Sequence, residues 1–178
     1  MKNNRRLATL LAALAAVTLL SSAAAAQTKL GAAEYKDDEF TGKRKVTLAE
    51  QQIAPTLKMS LAATVSTSRK RGTFEPDLDF AEINLTSTTG RREYGGLETE
   101  VNFIVDGARV RGGKVESSPL RDKMPQDGKE LAVGVLYLST LEKIARGRDV
   151  QMKVGENVFK LDKPTLQAVQ DFLKAAGR

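Results

Sequence analysis

The sequence predicts an α+β fold, with one twisted, mainly antiparallel sheet of about seven or eight strands, a short helix and a C-terminal amphipathic helix. Three observations predict it. Apolar residues recur with a period of two along most of the chain, several of these runs meet at two-residue turns, and helical spacing takes over only near the C-terminus. A β-sandwich with an appended C-terminal helix is the alternative that fits the same periodicity.

Residues 1–26 read as a secretory signal peptide. Lys2, Arg5 and Arg6 precede a largely apolar run from Leu7 to Leu20, and Ala24-Ala25-Ala26 supplies small residues for cleavage. The run is shorter than the roughly 20 residues of a membrane-spanning helix, and no later segment approaches that length. Cleavage before Gln27 leaves 152 residues, 178 less 26, in an extracytoplasmic compartment, periplasmic or secreted. Residues 27–45 then form an N-terminal extension or a first edge strand, and residues 46–178 a single α+β domain. Without cysteine, such a chain depends on an ordinary core, which at this size removes roughly 68–70% of the unfolded surface from water.

Each element has its own local cause. Leu57, Met59, Leu61, Ala63 and Val65 alternate with polar or small neighbours, and Ala81, Ile83 and Leu85 repeat the pattern. Leu97, Thr99, Val101, Phe103 and Val105 line one face of a strand that ends at Asp106-Gly107, a pair suited to the positive φ angles of a type I′ turn. The spacing predicts a hairpin over about residues 97–111. The run "ELAVGVLYLS" is apolar on both faces, which predicts a central strand. Ser139 and Glu142 have capping-box spacing and Gly147 can end the following helix in the left-handed conformation, predicting a helix over 139–146. Val150, Met152 and Val154 alternate up to Gly155-Glu156, a type II′ turn pair, and Val158 begins the return strand. Asp162 then caps a helix over 163–176, with Pro164 in its first turn and Leu166, Val169, Phe172, Leu173 and Ala176 on one stripe.

The stretches "DEFTGKRKVTL", "VNFIVDGARV" and "LSTLEKIARGRDVQMKVGENVFKLDKPTLQAVQDFL" together resemble a group of small exported bacterial proteins without an assigned activity. In that group a strand ends in a DG turn, and a short helix leads to a V-x-x-x-x-G hairpin and a terminal helix. Leu141 stands here where the group usually has an aromatic residue. The resemblance implies an extracytoplasmic α+β domain and carries no active site with it.

Composition removes most chemistry. No histidine and no cysteine are present, so Ser-His-Asp and Cys-His catalysis and the commonest zinc ligands are absent. No Walker A, G-x-G-x-x-G, S-x-x-K or G-x-S-x-G sequence occurs, and no cofactor is expected. The absence of tryptophan and the small number of tyrosines leave little for sugar-stacking platforms, and few aromatics remain for the girdles of a membrane barrel. The carboxylates Glu98, Glu100 and Asp106 keep open a small carboxylate-dependent hydrolase. Glu75, Asp77 and Asp79 would share one side of an extended segment, where a hard cation is one reading and a solvated acidic edge the plainer one, so no metal is expected.

Removing Lys2, Arg5 and Arg6 from the 28 basic residues leaves 25 against 22 acidic ones, a net charge of +3 and too little for a nucleic-acid partner. The basic residues are nevertheless clustered, at Lys43-Arg44-Lys45, Arg69-Lys70-Arg71, Arg91-Arg92 and Arg109/Arg111. As solvated turns and strand edges these need no ligand. Gathered on one face, Arg69, Lys70, Arg71, Arg91, Arg92, Arg109 and Arg111 would attract an anionic envelope component. The sequence therefore predicts an exported, non-enzymatic binding or interaction domain of the cell envelope.

Overall fold

The computed structural model describes residues 27–67, 80–89, 99–117 and 129–178. The signal segment, Arg69, Lys70, Arg71, Glu75, Asp77, Asp79, Arg91, Arg92, Leu97 and Glu98 lie outside the described residues. The strands are β1 (Thr28–Leu30), β2 (Ala33–Asp38), β3 (Lys43–Ala54), β4 (Leu57–Ser66), β5 (Phe80–Ser87), β6 (Thr99–Val105), β7 (Ala108–Ser117), β8 (Glu130–Tyr137), β9 (Val150–Val154) and β10 (Asn157–Leu161). Helix α1 spans Leu138–Arg146 and helix α2 spans Lys163–Ala175.

All ten strands among the described residues join one antiparallel sheet in the order β1-β2-β3-β4-β5-β8-β7-β6-β9-β10. This corrects the expected seven or eight strands and replaces the two-sheet sandwich with a single sheet. The additional strands come from the N-terminal segment. β1 is wholly exposed and β2 buries only Ala33, so neither carries the alternation that marks a strand in sequence. Their pairing is secured from elsewhere: Asp171 of α2 accepts a hydrogen bond from the Ala32 N–H at 3.1 Å.

One face of the sheet is buried, by Val46 and Leu48 of β3, Met59 and Leu61 of β4, Ile83 and Leu85 of β5, Leu136 of β8, Phe103 of β6 and Met152 of β9. The sheet curls around this face until β10 comes beside β3 without pairing to it. Helix α2 lies against β1, β2 and β3, α1 against β6, β7 and β8, and the two helices touch each other. From α2 the residues Leu166, Ala168, Val169, Phe172, Leu173 and Ala175 are buried, while Lys163, Gln167 and Lys174 are exposed.

The local predictions fare unevenly. Asp106 and Gly107 have φ of 50° and 83°, as the type I′ pair requires, and Gly155 has φ of 57° in the β9–β10 turn. Asp162 caps α2, accepting from the Thr165 N–H at 2.9 Å. The capping box on α1 does not form. Burial of Leu136 and Leu138 carries β8 straight into the helix, so Tyr137 is the N-cap without a side-chain bond and Ser139 lies inside the first turn. Gly147 is extended, at φ −69° and ψ 148°, not left-handed. It is required for close approach instead, since a Cβ there would sit 2.6 Å from both Val105 Cγ1 and Val150 Cγ2. β8 is central, between β5 and β7, yet Val135 and Tyr137 are 50% and 59% exposed on its outer side.

Arg44, expected in a solvent-facing basic cluster, is a brace. Its Nε and Nη2 donate to the Asp37 carboxylate at 2.6 and 2.9 Å, and its Nη1 donates to the Ala175 carbonyl at 3.0 Å, where α2 leaves acceptors unsatisfied. The guanidinium also lies over the Tyr35 ring, 4.2 Å from its centroid. The hydrogen bond from Arg44 holds the Asp37 carboxyl below its ordinary value.

Candidate functional site

The solvent face of β7-β6-β9-β10 carries the polar residues that alternate with the core. β6 turns Glu100, Asn102 and Ile104 outward, since Val101 and Phe103 point into the core. Register then places neighbours on both sides. Asn102 lies between Arg111 of β7 and Lys153 of β9, and Ile104 between Arg109 of β7 and Gln151 of β9. Val158 of β10 stands opposite Lys153. β7 and β9 are two strand spacings apart, so Arg111 and Lys153 are separated by roughly 10 Å at the backbone.

Glu100, Asn102, Ile104, Arg109, Lys153 and Val158 line a shallow depression of about 390 Å³, and Arg111 stands beside it on β7. Arg109, Arg111 and Lys153 form no ion pair among the described residues. Lys160, one row away, is held by Asp149 at 2.8 Å. Asn102 donates to Glu100 at 3.2 Å, which turns the nearest carboxylate toward its own strand. The rim is therefore cationic, with Ile104 and Val158, 42% and 56% exposed, as apolar ground between the charges.

Of the seven basic residues expected to share a face, the structure brings Arg109 and Arg111 together and adds Lys153. Lys43 and Lys45 stand on β3, which β4, β5 and β8 separate from β7 along the ladder. Lys153 was legible only in part. Its alternation with Val150, Met152 and Val154 marks it as outward, but the pairing of β9 with β6 has no sequence signal.

Of the carboxylates Glu98, Glu100 and Asp106, the last two lie among the described residues. Glu100 of β6 and Asp106 in the turn after it are six residues apart along an extended chain, roughly 20 Å, whereas a glycosidase pair needs about 5–10 Å. Asp106 is a clamp: one of its carboxylate oxygens accepts the N–H groups of Arg148 and Asp149, both at 2.9 Å, and its own N–H donates to the Asp149 carbonyl at 2.9 Å. Among the described residues no three potential metal-ligating side chains cluster, and no helix is long and apolar enough to cross a membrane.

The clamp carries a pH prediction. The Asp149 N–H, followed by that of Arg148, lowers the Asp106 carboxyl below its ordinary 3.8. A carboxyl lowered on folding stabilises the protein above its unfolded value and loses that contribution as pH falls through the folded one. Asp106→Asn should therefore melt below the wild type at neutral pH, and the gap should close as pH drops below 3.8. Thermal melts of both proteins across this range check it. A gap independent of pH would show that charge plays no part in the clamp.

No family model, curated protein or solved structure matches this chain.

Proposed function

We propose that this chain is exported under the direction of residues 1–26 and acts in the cell envelope as a non-enzymatic binding domain for an anionic partner, held at Arg109, Arg111 and Lys153. The observation that carries the reading is the row Arg111–Asn102–Lys153, in which two cations without ion-pair partners among the described residues flank a neutral donor on an open sheet face. Cations spaced roughly 10 Å apart suit an extended polymer bearing repeated carboxylates or phosphates. An isolated small anion would engage only one of them. The absence of histidine and cysteine, together with the separation of Glu100 from Asp106, favours binding over hydrolysis.

The reading is tested on protein recovered from the extracytoplasmic fraction, whose first residue should be Gln27. Dextran sulfate serves as a defined polyanion and isolated envelope fragments as the native material. Attraction of this kind is screened over a Debye length of about 8 Å at physiological salt, so retention should fall steeply as sodium chloride rises. Alanine at Arg109, Arg111 and Lys153 together should weaken binding about tenfold, at about 0.5 kcal/mol for each exposed charge contact. Retention that ignores both salt and the triple substitution would place the partner on some other surface.

A further inference from the structure

The turn between β2 and β3 presents Phe40 fully to solvent, at 101% exposure, on a hydrogen-bonded backbone. The Asp38 carboxylate accepts from the Phe40 N–H at 3.0 Å, the Thr41 N–H at 3.3 Å and the Thr41 hydroxyl at 2.8 Å. On the far side of the turn, the Gly42 carbonyl accepts both the N–H and the hydroxyl of Thr67, at 2.8 and 2.9 Å. A phenyl ring in water adds nothing to the core. The backbone that carries it is already held, however, so a surface that receives it has little backbone entropy to remove.

The charges beside this ring are mixed, with lysines in excess of unpaired acids. Asp37 is paired with Arg44, while Asp38, bonded by the neutral donors of the turn, and Glu39 keep their negative charges. Lys36 and Lys45 occupy directly opposed positions on β2 and β3, a like-charge pairing that costs stability, and Lys43 lies one step nearer the tip, opposite Asp38. None of the three lysines forms an ion pair among the described residues. With Asp37, Asp38, Glu39 and Thr64 they line a cleft of about 710 Å³ whose rim carries Phe40.

We propose that the β2–β3 turn docks on an anionic lipid bilayer, with Phe40 entering the interface and Lys36, Lys43 and Lys45 resting against the lipid phosphates. An aromatic ring suits the boundary between headgroups and acyl chains, and nearby cations add attraction to an anionic surface. Neither signal alone gives more than marginal binding, whereas an apolar group combined with a basic patch gives a usable one. The lysines stand on β2 and β3 and Arg109 and Arg111 on β7, so separate substitutions let this inference and the polyanion reading fail independently.

The chain contains no tryptophan, so Phe40→Trp creates a single fluorescent reporter at the tip. With phosphatidylglycerol-containing vesicles its emission should move to shorter wavelength and become shielded from an aqueous quencher, and with phosphatidylcholine vesicles it should not. Replacing Lys36 and Lys45 with glutamine in the reporter protein should weaken vesicle affinity about fivefold per lysine. Alanine at Arg109 and Arg111 should leave the shift in place. No shift on anionic vesicles, an equal shift on phosphatidylcholine, or indifference to the lysine substitutions would each overturn the proposal.

Discussion

Phe172→Ala is expected to lower the unfolding free energy by about 3–5 kcal/mol. The ring is fully buried, on the side of α2 that also buries Leu166, Val169 and Leu173, and the helix packs against β1, β2, β3 and α1 at once. Truncation removes the transfer free energy of the ring and leaves a cavity between layers that cannot both collapse into it. Against the 5–15 kcal/mol typical of a domain, this is a large fraction. With a urea slope of about 2 kcal/mol/M, the midpoint should fall by roughly 1.5–2.5 M. An unchanged midpoint would mean that α2 is detached from the sheet.

Gly134→Ala should cost about 1–3 kcal/mol by overpacking, although it adds one methyl group. Gly134 sits in β8 opposite Val115 of β7, and a Cβ there would lie 2.3 Å from the Lys114 carbonyl oxygen and 2.6 Å from Val115 Cγ1. The nearest obstacle is backbone, so relief requires β7 and β8 to move apart. Their ladder has three register pairs, Val115 to Ser117 against Gly134 to Ala132, and it alone joins the first five strands to the last four through β8. The substitution should therefore reduce amide-exchange protection across β7 and β8 more than in β3 and β4. Uniform loss of protection, or a stability equal to wild type, would show that the seam tolerates the added volume.

Several elements were legible because their causes are local. Leu57 to Val65 and Ala81 to Leu85 alternate cleanly, and both segments bury that phase and leave the other half-buried or exposed. Asp106-Gly107 and Gly155-Glu156 turn where the permitted φ angles say they should, and Asp162 caps the helix that follows it. β1 and β2 were not legible, because exposed residues such as Thr28, Lys36 and Asp38 carry no burial pattern and pair only because β3 and α2 are already in place. The site was half legible. Arg109 and Arg111 declare themselves on one strand, while Lys153 becomes their neighbour only through β6.

By itself, then, the sequence determined which residues of most strands face the core, where the tight turns fall, and how α2 begins, since these follow from side-chain alternation and φ restrictions spanning a few residues. Tertiary structure decided the strand order that inserts β8 between β5 and β7 and pairs β6 with β9. It also decided the start of α1, where burial of Leu138 overrode Ser139 as a cap, and the diversion of Arg44 from a surface cluster to the end of α2. The physical reason is the same in each case: the partners are distant in the chain, and the choice among them rests on burying the whole apolar face while satisfying every backbone donor and acceptor, a condition no short segment can express.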